Sequence, residues 1–294
     1  MKSYSENSLD QLNKQKVYDK NVLIRPVLRW AGSKRQIIHR LIPFWNSSFK
    51  RYVEPFAGSA TLFFAINPSK ALLSDLNQEL IEVYEVLRKH PKKLHYHVNL
   101  IPKNKRAYIR LRGIKPGNLS KFKRAVRFTY LNRLCFNGIF RTNMKGEFNV
   151  PYASTGTGLI PSVEHFRRCA KSLNNAKICS CDFGNTLSKV KEGDFVYIDP
   201  PYAVEDRRVF CEYGPNAFNK ADLKRLFKYL KIIDLKGASF LMSYADCKEA
   251  RAIFKNWEPK RIKVRRNIAG FSSQRKHAYE LLITNIDNKK RRFR

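Results

Sequence analysis

Apolar residues in this chain gather in short runs, separated by stretches with helical spacing. Seven segments rich in β-branched and aromatic residues read as strands: Arg51–Glu54, Ala71–Ser74, Lys177–Ser180, Phe195–Ile198, Ser239–Ser243, Arg261–Arg265 and Glu280–Thr284. Between them, Gln78 to Lys89 places Leu80, Ile81, Tyr84 and Leu87 at helical spacing. Asn219 to Leu235 does the same with Leu223, Leu226, Phe227, Leu230 and Ile233. Strands that alternate with helices predict an α/β fold with a mostly parallel sheet.

The alternation breaks between Pro91 and Ser162. That stretch holds Lys/Arg clusters, a helical run from Lys121 to Leu134 and a turn at Met144-Lys145-Gly146-Glu147. Phe140–Asn143 and Phe148–Tyr152 read as hairpin arms around the turn. Ala153 to Gly158 reads as a flexible loop. The expected organisation is a disordered arm over 1–20, a discontinuous main domain over 21–90 and 163–286, an inserted module over 91–162, and a basic tail over 287–294.

Charge narrows the function. The chain has 294 residues, with 58 Lys+Arg against 24 Asp+Glu and a formal net charge of +34. Such a balance points to a polyanionic partner, nucleic acid first and a membrane surface second. No apolar run approaches the ~20 residues of a transmembrane helix, and residues 1–20 carry no secretory apolar region. A cytoplasmic protein, held near the nucleoid by its partner, is expected. The tail Lys289–Arg294 reads either as a solvated end or as a phosphate contact. None of the six cysteines forms a C-x-x-C pair, and nothing completes a site with Cys179 and Cys181. His95 and His97 read as a surface pair, so no metal is expected.

Four motifs carry chemistry. Asp199-Pro200-Pro201-Tyr202 follows the strand Asp194–Ile198. Two prolines lack N–H groups and fix φ, so the chain must leave the sheet as a rigid turn. The turn gathers a carboxylate, a free carbonyl and an aromatic ring. Two acceptors suit a substrate –NH2, and a ring suits a flat base stacked on it. Arg29-Trp30-Ala31-Gly32-Ser33-Lys34, opening the helical run Arg35–Leu41, reads as an anion-binding helix start or a basic capped helix. In Tyr52 to Ala60 a strand runs into a turn of small residues before the helical Thr61–Ile66, and a cofactor can approach such backbone closely. Asp75 ends the second strand 17 residues after Gly58. It suits ribose hydroxyls or an N-cap for the helix near Gln78.

Taken in order, W-A-G-S-K at 30–34, E-P-F-A-G-S-A at 54–60, S-D-L-N at 74–77, the block L-N-R-L-C-F-N-G-I-F-R-T-N-M-K-G-E-F-N-V-P-Y at 131–152, and D-F-V-Y-I-D-P-P-Y at 194–202 resemble the Dam-like DNA adenine methyltransferases, the N(6)-adenine, D-P-P-Y type of the alpha group. The likeness spans about Arg25 to Asn285. It implies a seven-stranded, Rossmann-like methyltransferase sheet with an inserted helical and β-hairpin target-recognition domain. It implies S-adenosyl-L-methionine as methyl donor, bound by Trp30, Lys34, Glu54, Phe56, Gly58 and Asp75. Asp199, Pro200 and Tyr202 would be catalytic. Arg29, Phe136, Asn137, Ile139 and Arg141 would lie on the DNA side, with Phe136 as a wedge into the base stack. The substrate would be double-stranded DNA, with adenine flipped out of G-A-T-C or a related site, and a restriction endonuclease is a conceivable companion. Two departures stand out: Ala60 replaces a usual second glycine, and the 153–158 loop lacks the usual basic and aromatic residues. The rival readings are an RNA or protein-amide methyltransferase and a non-catalytic DNA-binding protein of the same fold.

Overall fold

A computed structural model describes residues 23–143, 146–154, 158–202, 218–265 and 277–286. The expected N-terminal arm, the basic tail, residues 144–145 of the turn and 155–157 of the loop lie outside these. All seven expected strands are present: β1 (Arg51–Glu54), β2 (Ala71–Asp75), β3 (Ala176–Ser180), β4 (Asp194–Ile198), β5 (Ser239–Ala245), β6 (Lys260–Arg265) and β7 (His277–Thr284). They form one sheet in the order β3-β2-β1-β4-β5-β7-β6. The first five are mutually parallel, and β7 runs antiparallel between β5 and β6.

The helices in chain order are α1 (Ile38–Leu41), α2 (Thr61–Ile66), α3 (Gln78–Lys89), α4 (Pro91–Asn99), α5 (Lys105–Arg112), α6 (Lys121–Leu134), α7 (Val163–Leu173), α8 (Phe183–Leu187), α9 (Lys220–Leu235) and α10 (Lys248–Ile253). Four of them, α2, α3, α6 and α9, match the periodicity of the sequence. The helical run expected over Arg35–Leu41 is broken instead. A 3-10 turn at Lys34–Gln36 is separated from the single turn α1 by Ile37 at φ −109°, ψ 11°.

Strand alternation supplies two cores. Tyr52, Leu73, Phe195, Tyr197 and Leu241 point to one face, under α3, α4, α6 and α7. Val53, Leu72, Val196, Ile198, Phe240 and Met242 point to the other, where Leu223, Leu226, Leu230 and Ile233 of α9 cover them. All of β4 is buried, as a central parallel strand requires. Its register is pinned at the edge of the core. Arg51 lies opposite Asp194, and its guanidinium holds that carboxylate with Nη2 at 2.5 Å and Nε at 3.1 Å.

The segment over 91–162 does not enclose a core of its own. Leu94, Val98, Tyr108, Phe128, Tyr130 and Val150 join the cluster that holds Tyr52 and Leu73. Helix α6 lies antiparallel against α3, and charge spacing explains the pairing. Glu79, Glu82 and Glu85 recur every third residue on α3; Arg127, Arg124 and Lys121 meet them in reverse order on α6. The Arg124–Glu82 pair is bidentate, with both contacts at 2.7 Å. The expected hairpin arms do not form regular strands among the described residues. They are held by a bridge between Thr142 and Phe148, flanked by Asn143 N–H to Glu147 O (2.9 Å) and Asn149 N–H to Arg141 O (3.2 Å).

Helix α6 also fastens the segment before the sheet. Buried Asn132 accepts from Arg29 N–H (2.8 Å) and donates to Arg29 O (2.7 Å). Removing the amide leaves two backbone groups unpaired, each costly when out of reach of water. Asn132→Ala is expected to lower unfolding free energy by about 2 kcal/mol or more. Urea denaturation with an unchanged m-value checks this, and a loss under about 0.5 kcal/mol would show that the tie is dispensable.

Candidate active site

The sheet order places the turn after β1 beside the turn after β4, because β1 and β4 pair although they are distant in sequence. Their chains then leave in opposite directions, which opens a crevice at the carboxyl ends of the strands. A cleft of about 690 Å3 fills that crevice. Trp30, Lys34, Glu54, Phe56, Gly58 and Asp75 all line it, as do Asp199, Pro200 and Tyr202.

The β1 turn is shaped by backbone sterics. Gly58 has φ +45°, and a Cβ there would stand 2.8 Å from the Trp30 ring. Ala60 also sits in the left-handed region, at φ +51°, where a glycine costs less than an alanine. Tyr84 O–H donates to Gly58 O beneath the turn. Asp75 braces it from β2, with Oδ2 accepting from Gly58 N–H and Oδ1 from Asn77 N–H, both at 2.9 Å. The capping alternative for Asp75 is corrected: the N-cap of α3 is Asn77, whose side chain accepts from Leu80 N–H. Asp75 instead ties two loops together at the floor of the cleft. Burial pushes its carboxyl above the ordinary aspartate value, against the pull of the backbone N–H groups. Glu54 is buried, and burial holds its carboxyl well above the usual glutamate range, although Tyr52 O–H donates to it at 2.9 Å.

The β4 turn brings together more than the sequence suggested. Lys34 Nζ lies 3.0 Å from Asp199 Oδ1 and 3.4 Å from Glu280 Oε1, and donates to Gly32 O at 3.2 Å. The reading of residues 29–34 as an anion-binding helix start is thereby corrected. There is no regular helix to present N–H groups, and the lysine is taken by two carboxylates. Burial works against the Lys34 ammonium, but Asp199, Tyr202 and Glu280 hold its pKa well above the usual lysine value. Ser243 donates to Asp199 Oδ1 at 3.1 Å. Burial raises the Asp199 carboxyl above the ordinary aspartate value; Lys34 opposes the rise and Glu280 adds to it. Tyr202 O–H donates to Glu280 Oε1 at 3.1 Å, and its ring meets Tyr244 edge-on at 5.4 Å.

Four contributors at the opposite end of the cleft, Phe183, Phe218, Asp182 and Arg225, were not read from sequence. Phe56 packs on Phe183 (5.2 Å) and meets Phe218 edge-on (5.9 Å), and together they form an aromatic wall. Asp182 caps α8 and holds Arg225 at 2.7 Å, whose guanidinium lies 4.1 Å over the Phe183 ring. Helix α8 is too short for periodicity to reveal. Glu280 did leave a signal: it is the one carboxylate within Ala278–Ile283, an otherwise apolar strand apart from Tyr279.

Four of the five residues expected on the DNA side lie along the loop after α6, and Arg29 lies before the sheet. Phe136 is 43% exposed, Asn137 is exposed at φ +54°, and Arg141 donates Nε to Asn149 Oδ1 at 2.9 Å. Arg29 packs against Gly138, where a Cβ would come within 2.4 Å of it. Ile139 differs from expectation, being buried in the core beneath the loop. Phe140 joins the loop to the cleft by stacking on Trp30 at 5.8 Å with an 11° interplanar angle. His95 and His97 pack separately, on Phe166 and Phe122. Among the described residues no group of three or more His, Cys, Asp and Glu side chains is placed to hold a metal ion, and no helix is long and apolar enough to cross a membrane.

The cleft is acidic within a strongly basic chain. Glu54, Asp75, Asp182, Asp199 and Asp222 line it against Lys34 and Arg225. Its aromatic end accepts a flat ring, its glycine turn admits close approach, and its carboxylates favour hydroxyls and positive charge. The acceptors at Asp199 form a separate position beside this path.

Comparison with known proteins gives the same picture. Residues 30–268 match the family model of the D12 class N6 adenine-specific DNA methyltransferases. The chain is 32% identical over 277 residues to the type II methyltransferase M1.LlaDCHI of Lactococcus lactis subsp. cremoris, covering 90% of this chain and 96% of that protein. It is 30% identical to the type II methyltransferase M.MjaIII of Methanocaldococcus jannaschii, over 89% of this chain and 99% of the relative. It is 29% identical to the DNA adenine methylase of Escherichia coli strain K12, over 88% and 94%. With the sheet order, the cleft and the D-P-P-Y turn in place, the chain belongs to the D12 class of N6 adenine-specific DNA methyltransferases.

Proposed function

We propose that this enzyme transfers a methyl group from S-adenosyl-L-methionine to the N6 amino group of an adenine flipped out of duplex DNA, within G-A-T-C or a related short site. The observation that carries the reading is the position of Asp199, Pro200 and Tyr202 at one end of a cleft that otherwise suits a cationic, ring-bearing ligand. The donor supplies an electrophilic methyl carbon on a positively charged sulfur. Glu54 and Asp75 favour that charge, Asp75 reaches ribose hydroxyls, and the Phe56–Phe183 wall takes the flat ring. Asp182 stands beside that wall as an acceptor.

The rest is positioning by the chain itself. The amino group of a paired adenine is inside the stack, so the base must leave it, at a cost of a few kcal/mol. Tyr202 stacks on the extruded ring. Asp199 and the Pro200 carbonyl accept the two amino hydrogens, which turns the nitrogen lone pair toward the turn at Gly58. Lys34 now holds Asp199 Oδ1 and must yield that oxygen if an amino hydrogen is to be accepted there. Phe136, exposed on the loop, is suited to fill the gap in the stack, and the high positive charge supports phosphate binding. Two relatives named as type II methyltransferases support a companion restriction endonuclease. The DNA partner supports a cytoplasmic, nucleoid-bound location. Label transfer from S-adenosylmethionine to duplex DNA, RNA and protein, run side by side, tests the substrate class. Sequencing of methylated adenines tests the site.

Asp199→Ala is expected to abolish methylation while duplex affinity stays within roughly tenfold, about 1.4 kcal/mol. Turnover above a tenth of wild type would reject Asp199 as the amino-group acceptor.

The pH dependence has a definite sign. Asp199 must be ionised to accept both a hydrogen bond and the developing positive charge. Its pKa is raised by burial, so protonation removes activity earlier on acidification than for an exposed aspartate. The acid limb of the single-turnover rate is expected above the ~3.9 of a free aspartate. A limb at or below that value would count against the assignment.

Arg141 is expected to read a guanine in the major groove, its fork fixed in plane by Asn149. Arg141→Ala should relax choice at one base position by about 1–3 kcal/mol. Equal weakening on all substituted duplexes would make it a phosphate contact instead.

A further inference from the structure

We propose that Glu280 is a positioning residue for this reaction: it is the seat to which the Lys34 ammonium withdraws when the adenine amino group takes Asp199, and it anchors the Tyr202 ring. The inference rests on the D-P-P-Y reading and deepens it. Glu280 lies within β7, opposite Ala245 of β5 and Ile262 of β6. Because β7 runs antiparallel, its early residues reach the carboxyl ends of the parallel strands, where the cleft opens. The residue is 7% exposed. A carboxylate so deeply buried is costly unless it is paired and hydrogen-bonded. Only half of this one is engaged. Oε1 accepts from Tyr202 O–H and faces Lys34 Nζ at 3.4 Å. Oε2 is buried with no hydrogen-bond partner among the described residues.

The neighbouring carboxylate is crowded on one oxygen. Asp199 Oδ1 already receives Lys34 at 3.0 Å and Ser243 at 3.1 Å. A substrate N–H cannot be added to that oxygen while the ammonium remains. The ammonium has three donors and a flexible stem, and a rotation at its end carries it toward Glu280. Without a second carboxylate, leaving Asp199 would strand a buried cation. With Glu280, one ion pair replaces another and the free Oε2 gains its missing donor. The same carboxylate keeps hold of the Tyr202 hydroxyl, so the stacking ring stays in place as the lysine moves.

Glu280→Gln separates the two tasks, since an amide oxygen still accepts from Tyr202 but carries no charge for Lys34. Complexes are saturated with S-adenosylmethionine and duplex, and single-turnover methylation is measured against pH. The expected result is a rate at least fivefold below wild type, with both dissociation constants within threefold. The acid limb should also move to lower pH. The titratable groups facing Asp199 are Lys34, Glu280, Glu54, Tyr52, Tyr197 and Tyr202. Of these, Glu280 is a negative neighbour that raises the Asp199 pKa, so removing its charge lets Asp199 stay ionised further into acid. A purely structural role leaves that limb in place. Glu280→Asp keeps the charge, and is expected to keep the wild-type limb with a rate above that of Glu280→Gln. A Glu280→Gln rate loss under fivefold, an unmoved limb, or a Glu280→Asp variant no faster than Glu280→Gln would each overturn the inference. If Glu280→Gln does not fold, Glu280→Met, an uncharged chain of similar size, takes its place with the same two readouts: a rate at least fivefold lower together with a limb moved to lower pH supports the seat, and the lack of either overturns it. An Asp199→Ala control separates the levels. Activity retained there brings down the parent reading, whereas its loss beside an unaffected Glu280→Gln brings down this inference alone.

Discussion

Parallel pairing of β1 with β4 is the constraint from which the site follows. The two strands are joined across more than a hundred residues of chain, and their register sets which residues end level with one another. The Arg51–Asp194 ion pair fixes that register at the opposite end of the strands from the cleft. A slip of one residue would turn every side chain of β4 to the other face. Phe195 and Tyr197 would then leave the core shared with Tyr52, and Asp199 would no longer face the turn at Gly58. Because the register holds, a glycine turn and a proline turn, each rigid for its own steric reason, meet at one crevice.

Charge divides the molecule into two tasks. The chain as a whole is strongly positive, which suits a phosphate backbone. The cleft is lined by five carboxylates, which suits a cationic ligand bearing hydroxyls. Burying carboxylates near so much apolar surface is costly, and local partners offset the cost. Backbone N–H groups serve Asp75, a tyrosine serves Glu54, and Lys34 serves Asp199 and Glu280 at once. The last arrangement is a shared cation between two anions, so small displacements change which anion it serves.

The 91–162 segment is joined to the sheet more closely than an appended module would be. Three ion pairs at matching three-residue spacing set α6 antiparallel on α3, and its apolar residues complete the core over the sheet. The loop after α6 is therefore carried on a rigid base. Through the Trp30–Phe140 stack it also touches the cleft, so the surface proposed to read DNA and the pocket proposed to hold the donor share an aromatic contact.

Much of this was legible along the chain. Strand positions followed from short apolar runs, because a buried parallel strand needs continuous apolar residues and leaves little else to choose. Helices α3, α6 and α9 followed from periodicity. The D-P-P-Y turn was legible because proline imposes its conformation locally, and Gly58 because a left-handed turn needs it. What depended on distant contacts was not legible. Helix α8 is too short to show a period, and the hairpin arms carry strand-like residues yet lack enough partners to form a ladder. Ile139 could not be known to be buried without the core beneath it. Lys34 reads in sequence as a free cation for an anion, and only the fold supplies the two carboxylates that claim it, one from β7 at the far end of the chain. Local steric and apolar preferences act between neighbours in sequence and so are written there; charge pairing and register act between neighbours in space, and these the tertiary structure alone decides.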